Sequence, residues 1–198
     1  MELSELKGII DKALKRCQRK LKEQPAIVLT EADFERLVSW SIMKQLKQDD
    51  YKKPAPEDYV VHTQISHYPD GEIRSNHRPN IRPDIILLTG EGMEKADKAK
   101  DFKYDKESLT LELKYLRIGE SIGKVKGDFE KRKKLYSKSW LFVVVLIESN
   151  EISDFNEKES QLKGMLEDLR KNKKYKENVF LSAIWKSKVH YFVKEKNE

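Results

Sequence analysis

The chain has 198 residues, of which 38% are hydrophobic and 37% charged, the balance of one strongly solvated domain able to bury a core. Its 40 basic and 34 acidic side chains leave a net charge of +6, in itself a weak pointer to nucleic acid because lysine-rich surfaces are often only solubilising. No apolar run is long enough to span a bilayer, and the single cysteine, Cys17, excludes an internal disulfide framework and a cysteine-based zinc site.

The opening MELSELKGII lacks the basic start and long apolar stretch of a signal peptide, so the expected location is the cytoplasm, with no membrane partner. Leu3, Leu6, Ile10, Ala13, Leu14, Cys17 and Leu21 recur at three- and four-residue spacing, which predicts an amphipathic helix over 3–22 with a Lys- and Arg-rich outer face. Cys17 lies on the apolar stripe, where a packed thiol is the expectation rather than a nucleophile. Thr30 and Asp33 form a capping signal ahead of Phe34, Leu37, Val38 and Ile42, predicting a second helix over 31–47. Glu31 and Glu35 share one face of it, with Glu35 at the edge of the apolar stripe.

Residues 49–58 read as a loop, and YVVHTQIS (59–66) as a strand followed by an Asp70-Gly71 turn. His62, His67 and His77 have no metal-ligand spacing and read as structural or surface residues. Pro83-Asp84 then opens the apolar run IILL, a strand over 82–88, because proline is tolerated at a strand's first residue. The charged and small residues of 90–108 read as an elaborated hairpin loop, with a short helix expected near 93–100. In LTLELKYL (109–116) Leu109, Leu111, Leu113 and Tyr115 alternate with Thr110, Glu112, Lys114 and Leu116, the pattern of a strand buried on one side. Glu112 and Lys114 therefore share the opposite face. If this strand pairs with Asp84 beside Glu112, two carboxylates and an ammonium converge, an arrangement suited to a divalent cation next to a phosphate.

A helix follows through Val125, Phe129, Arg132 and Tyr136. Around it Lys124, Lys126, Lys131, Arg132, Lys133, Lys134 and Lys138 outnumber Asp128 and Glu130, either a solvated face or a surface that follows phosphates. WLFVVVLI (140–147) is short, β-branched and continuous, as expected of a central strand buried on both faces. Leu162, Met165, Leu166 and Leu169 mark a further helix. Residues 179–185 and 189–193 then predict a C-terminal β-hairpin about Lys186-Ser187-Lys188.

Pro83-Asp84 followed by Glu112-Leu113-Lys114, both on predicted strands, with an acidic helix before and a basic helix after, resembles the PD-(D/E)XK, or restriction-endonuclease-like, nuclease superfamily. The resemblance covers roughly residues 30–147 and implies a single nuclease domain over 1–198. The fold expected is α/β, a mixed sheet of about four core strands flanked by helices, extended by the N-terminal helix and the C-terminal hairpin. The resemblance implies Asp84, Glu112 and Lys114 as catalytic residues and Mg²⁺ as cofactor, with Mn²⁺ able to replace it. Asp84, Glu112 and the Leu113 carbonyl would hold the cation, and Glu35 is the candidate extra ligand, the alternative being a solvated helix glutamate. Asp128, Lys131, Arg82 and Lys124 are candidates for supporting the site or touching phosphate. The activity implied is hydrolysis of nucleic acid, DNA being the expected substrate, with a 5′-phosphate left on the product. Cleavage of both strands would call for a homodimer, although no segment is a clear seam. Two other readings stand beside this one. One is a non-catalytic nucleic-acid-binding or assembly subunit of the same fold, and the other a protein-interaction module whose lysine-rich helices are merely solvated.

Overall fold

The apolar stripe Leu6, Ile10, Ala13, Leu14, Cys17 and Leu21 is buried along helix α1 (Leu3–Glu23), in agreement with its spacing. The structure is a computed structural model that describes residues 3–48, 55–63, 83–92, 109–131, 139–171 and 178–187, without the side chains of Leu3 and Lys131. Helix α2 (Glu31–Leu46) begins at a complete capping box: Thr30 Oγ1 accepts from the Asp33 N–H at 3.1 Å, and Asp33 Oδ2 accepts from the Thr30 N–H at 3.0 Å. Asp33 also accepts from the Leu29 N–H at 3.1 Å. That bond is the first cause holding its carboxyl below the usual range, with Thr30 second. The helix stops at Lys47, whose left-handed φ of 54° lets its N–H turn back onto the carbonyls of Lys44 and Met43.

The described strands β1 (Tyr59–Thr63), β2 (Ile85–Thr89), β3 (Leu109–Leu116), β4 (Trp140–Ser149) and β5 (Val179–Ser187) form a mixed sheet in the order β1-β2-β3-β4-β5. The first two junctions are antiparallel and the last two parallel. Parallel neighbours need a crossover, supplied by helix α3 (Lys126–Lys131) between β3 and β4 and helix α4 (Ile152–Arg170) between β4 and β5. Alternation along each strand divides the core between the two faces. Leu109, Leu111, Leu113, Tyr115, Phe142, Val144, Leu146 and Ile184 pack with α1 and α2. Leu116, Val143, Val145 and Ile147 pack with Val125 and Phe129 around α3 and with Leu162 and Leu166 of α4. The result is a mixed α/β architecture with helices on both faces of a five-stranded sheet. Among the described residues no helix is long and apolar enough to cross a membrane.

Four expectations change. The sheet has five strands rather than about four, because Val179–Ser187 joins it in parallel to β4 instead of forming a separate hairpin. Lys186 and Ser187, expected in a turn, are paired strand residues opposite Glu148 and Ser149; residues 189–193 lie outside the described residues. Strand β4 is interior and buried as expected, but the middle position belongs to β3. Finally, β3 is covered on both sides, so the alternation in LTLELKYL does not mark a solvated face: Glu112 is only 1% exposed.

Strand β2 starts at Ile85, two residues after Pro83, which has no N–H to extend the ladder. Its other end is fixed by Gly90, which donates to the Asp58 carbonyl at 2.9 Å. A Cβ at Gly90 would collide with the Ala55 carbonyl oxygen, so this close approach requires glycine.

Candidate functional site

Pairing between β2 and β3 ends at Ile85 opposite Leu111, and among the described residues no strand neighbours the second half of β3 on that side. Edge amides need partners, and two carboxylates provide them. Asp84 Oδ2 accepts from the Leu113 N–H at 2.7 Å, and Glu31 Oε2 accepts from the Tyr115 N–H at 3.1 Å. One carboxylate comes from the residue that precedes β2, the other from the first residue of α2. The capping box fixes where α2 begins, and with it the position of Glu31.

The chain bends at Asp84, one residue before the paired register, and the bond from the Leu113 N–H sets its carboxylate at the edge of the Glu112–Lys114 segment of β3. Leu113 offers its backbone to the same edge as Leu111, so its carbonyl opens onto the gap that Asp84 occupies. Lys114 projects from the face opposite α2, yet its Nζ reaches Glu31 Oε1 and Oε2, each at 3.1 Å. The ion pair is partly solvated, with side-chain exposures of 26% and 47%, and its net stabilisation is about 0–1 kcal/mol. Its importance is positional: it fixes an ammonium beside the edge where the carboxylates gather.

Asp84, Glu112, Lys114 and the Leu113 carbonyl are thus on neighbouring backbone around one sheet edge. The helix glutamate that meets Lys114 is Glu31; Glu35 lies one turn further along the same face of α2 and is half-buried. Asp128 is half-buried on α3, which covers the sheet face shared by Glu112 and Lys114. Lys124 is ion-paired with Glu120, whose carboxyl is held below its usual range by that hydrogen bond first and by the Arg117 N–H second. Arg82 and the Lys131 side chain lie outside the described residues. Among the described residues no group of three or more His, Cys, Asp and Glu side chains could hold a metal ion. A cleft of about 440 Å³ opens beyond the carboxyl ends of β3 and β4, lined by Ile118, Glu120, Glu151, Asp154 and Lys158 among others; it does not include Asp84, Glu112 or Lys114.

A second polar cluster lies on the α1/α2 face of the sheet. Lys186, 1% exposed, donates to Tyr115 Oη and to Glu148 Oε1, the latter at 3.1 Å. Tyr115 Oη in turn donates to Glu148 Oε2 at 2.9 Å. A buried ammonium is tolerable only when paired, and here three parallel strands each contribute one partner. Sequence reasoning missed this trio because Lys186 stands in a charged Lys-Ser-Lys stretch that resembles a turn. The signal that could have found it was the alternation of Phe180, Ser182, Ile184 and Lys186 on one face. Adjacent residues of β3 therefore serve two clusters, Lys114 the edge and Tyr115 the interior.

Cys17 is buried against α2, its Sγ 3.3 Å from Ser41 Oγ, and burial pushes the thiol up to about 11. An inert packed thiol is what its position on the stripe implies. His62 is half-buried, and desolvation lowers its pKa. Comparison with family models, curated proteins and solved structures finds no match to this chain.

Proposed function

We propose that this chain is a metal-dependent nuclease of the restriction-endonuclease-like type, hydrolysing phosphodiester bonds of nucleic acid, with DNA the expected substrate and the cytoplasm the expected location. The observation that carries the reading is the Asp84 carboxylate on the Leu113 amide, at the edge where β2 gives way and beside Glu112 and Lys114. The order of α2, β2, β3 and α3 supports it: a helix that opens on Glu31 and Asp33, a strand preceded by Pro83-Asp84, a strand that carries Glu112-Leu113-Lys114, and a following helix.

The donors proposed at this edge are all oxygens, namely the two carboxylates Asp84 and Glu112 and the Leu113 carbonyl. Such a set fits Mg²⁺, or Mn²⁺ in its place, with water and substrate phosphate filling the remaining positions. When bound, the cation would act as a Lewis acid and lower the pKa of a coordinated water. Asp84, oriented by the Leu113 N–H, and Glu112, fixed by burial, would hold it. Lys114, steadied by Glu31, would offset charge growing on the phosphoryl oxygens. Arginine could hold a phosphate there but could not take part in proton transfer. Glu31 is the helix glutamate that steadies Lys114, and Glu35 remains the candidate extra ligand one turn further along α2.

Lys114→Ala separates the roles. Nucleic-acid binding and Mn²⁺ binding should persist while turnover falls by at least about 100-fold, the scale of a lost transition-state charge partner. Glu112→Gln should lose cation binding. Equal turnover in wild type and Lys114→Ala, with contaminating nuclease excluded, would refute the assignment. A non-catalytic nucleic-acid-binding subunit is the second reading, favoured by the engagement of Lys114 with Glu31; it predicts no Mg²⁺ or Mn²⁺ binding by the wild-type chain.

A further inference from the structure

Helix α1 carries seven basic residues against three acidic ones, a net +4 in a chain whose total is +6. Two of the cations have local partners: Lys7 pairs with Asp11 at 2.7 Å and Lys20 with Glu23 at 3.9 Å. Of the others, Lys12, Lys15, Arg19 and Lys22 follow one another at three- and four-residue spacing along a single stripe, with Arg16 at its border. At 100° per residue that stripe lies opposite the buried Leu6, Ile10, Leu14, Cys17 and Leu21 row. Lys12, Lys15, Arg19 and Lys22 are exposed, and none has an acidic partner among the described residues.

Beside the stripe stands Trp40 of α2, 41% exposed. The Arg16 guanidinium lies 4.7 Å from its ring centroid and Lys44 Nζ 5.8 Å. The Nε of Arg16 is buried and finds no acceptor among the described residues. Lysines alone would serve solubility, but an exposed indole between two cations does not. Nor is this an amphipathic helix for a lipid surface, because the apolar side of α1 is already buried in the core. Cations that follow a backbone, with an aromatic surface that can accept a base, are the recognition chemistry of single-stranded nucleic acid.

We infer that the outer face of α1, together with Trp40, is a binding surface for single-stranded nucleic acid, distinct from the Asp84–Glu112–Lys114 edge. Phosphates lie along Lys12, Lys15, Arg19 and Lys22, a run of roughly 15 Å on a helix, and a base packs on the exposed part of Trp40. The surface does not depend on the nuclease reading, since a chain that cleaves nothing would still bind through it.

The test uses the full chain in EDTA with a labelled oligothymidine of about 15 nucleotides, titrated at several salt concentrations. Four neutralised phosphates contribute about 2.8 to the slope of log K against log salt for a single strand. The variant Lys12→Gln, Lys15→Gln, Arg19→Gln, Lys22→Gln should lose most of that slope while keeping wild-type helicity. Tryptophan emission should be quenched on binding in wild type and not in Trp40→Phe. Failure of wild type to bind at low salt, an unchanged slope in the quadruple variant, or quenching that survives Trp40→Phe would overturn the inference. So would tighter binding to a duplex or to phosphatidylserine vesicles than to the single strand. Binding that follows these expectations without any cleavage in Mg²⁺ would leave the surface standing and refute only the nuclease.

Discussion

Replacing Glu148 by leucine should be among the costliest single changes in the described structure. The substitution leaves the Lys186 ammonium, 1% exposed, with only the Tyr115 hydroxyl for company. Breaking a buried ion pair by removing one partner costs about 3–5 kcal/mol, mostly from the charge left behind. Total stability for a domain is about 5–15 kcal/mol, so the variant should remain folded but with a much lower urea midpoint. Lys186→Met should cost less, because Glu148 keeps 14% side-chain exposure and can recover some water. Removing both charges is different in kind. Glu148→Leu with Lys186→Met takes from the Tyr115 hydroxyl both its Glu148 acceptor and its Lys186 donor, at about 1–3 kcal/mol. Adding Tyr115→Phe should bring stability back to within about 1 kcal/mol of wild type. Urea unfolding followed by circular dichroism measures all four, provided the m-values agree. A loss below about 1 kcal/mol for Glu148→Leu, or a triple variant no better than the single one, would refute the reasoning.

Thr30→Ala removes the acceptor of the Asp33 N–H and should cost about 1 kcal/mol, read by urea unfolding. Since Asp33 has a depressed pKa, its contribution is present above the unfolded value of about 3.9 and disappears as pH falls through the folded one. An acid titration of stability should therefore be flatter in Asp33→Asn. Cys17 behaves in the opposite sense. Its thiol, raised to about 11, stays protonated in the folded chain while the unfolded thiol ionises near 9, so stability should fall between those pH values by up to about 1.4 kcal/mol per unit. Cys17→Ala should lack that alkaline fall, and alkylation of wild type at pH 8 should proceed no faster than unfolding.

What could be read from the sequence followed from local periodicity. The stripe through Leu6, Ile10, Leu14 and Cys17 specifies α1, the Thr30–Asp33 box starts α2, and the alternation in LTLELKYL assigns Glu112 and Lys114 to one face of β3. What could not be read depended on which elements meet. Residues 179–187 carry strand character, but nothing local says that they extend the sheet in parallel to β4. The interior place of Lys186 is decided by Glu148 and Tyr115, distant in sequence. The choice between Glu31 and Glu35 likewise turned on tertiary geometry. Glu35 lies nearer the apolar stripe, but Glu31, the first residue of α2, is the one that accepts from the Tyr115 N–H and from Lys114.

The account centres on Asp84, Glu112 and Lys114 acting together on a phosphodiester bond. The most direct measurement is incubation of the purified chain with supercoiled plasmid and with single strands in Mg²⁺ or Mn²⁺, beside Glu112→Gln and an EDTA control. The account predicts metal-dependent nicking or cutting with 5′-phosphate ends by wild type, and intact nucleic acid with Glu112→Gln. Intact substrate under every metal condition, or cleavage by Glu112→Gln at the wild-type rate, would contradict it.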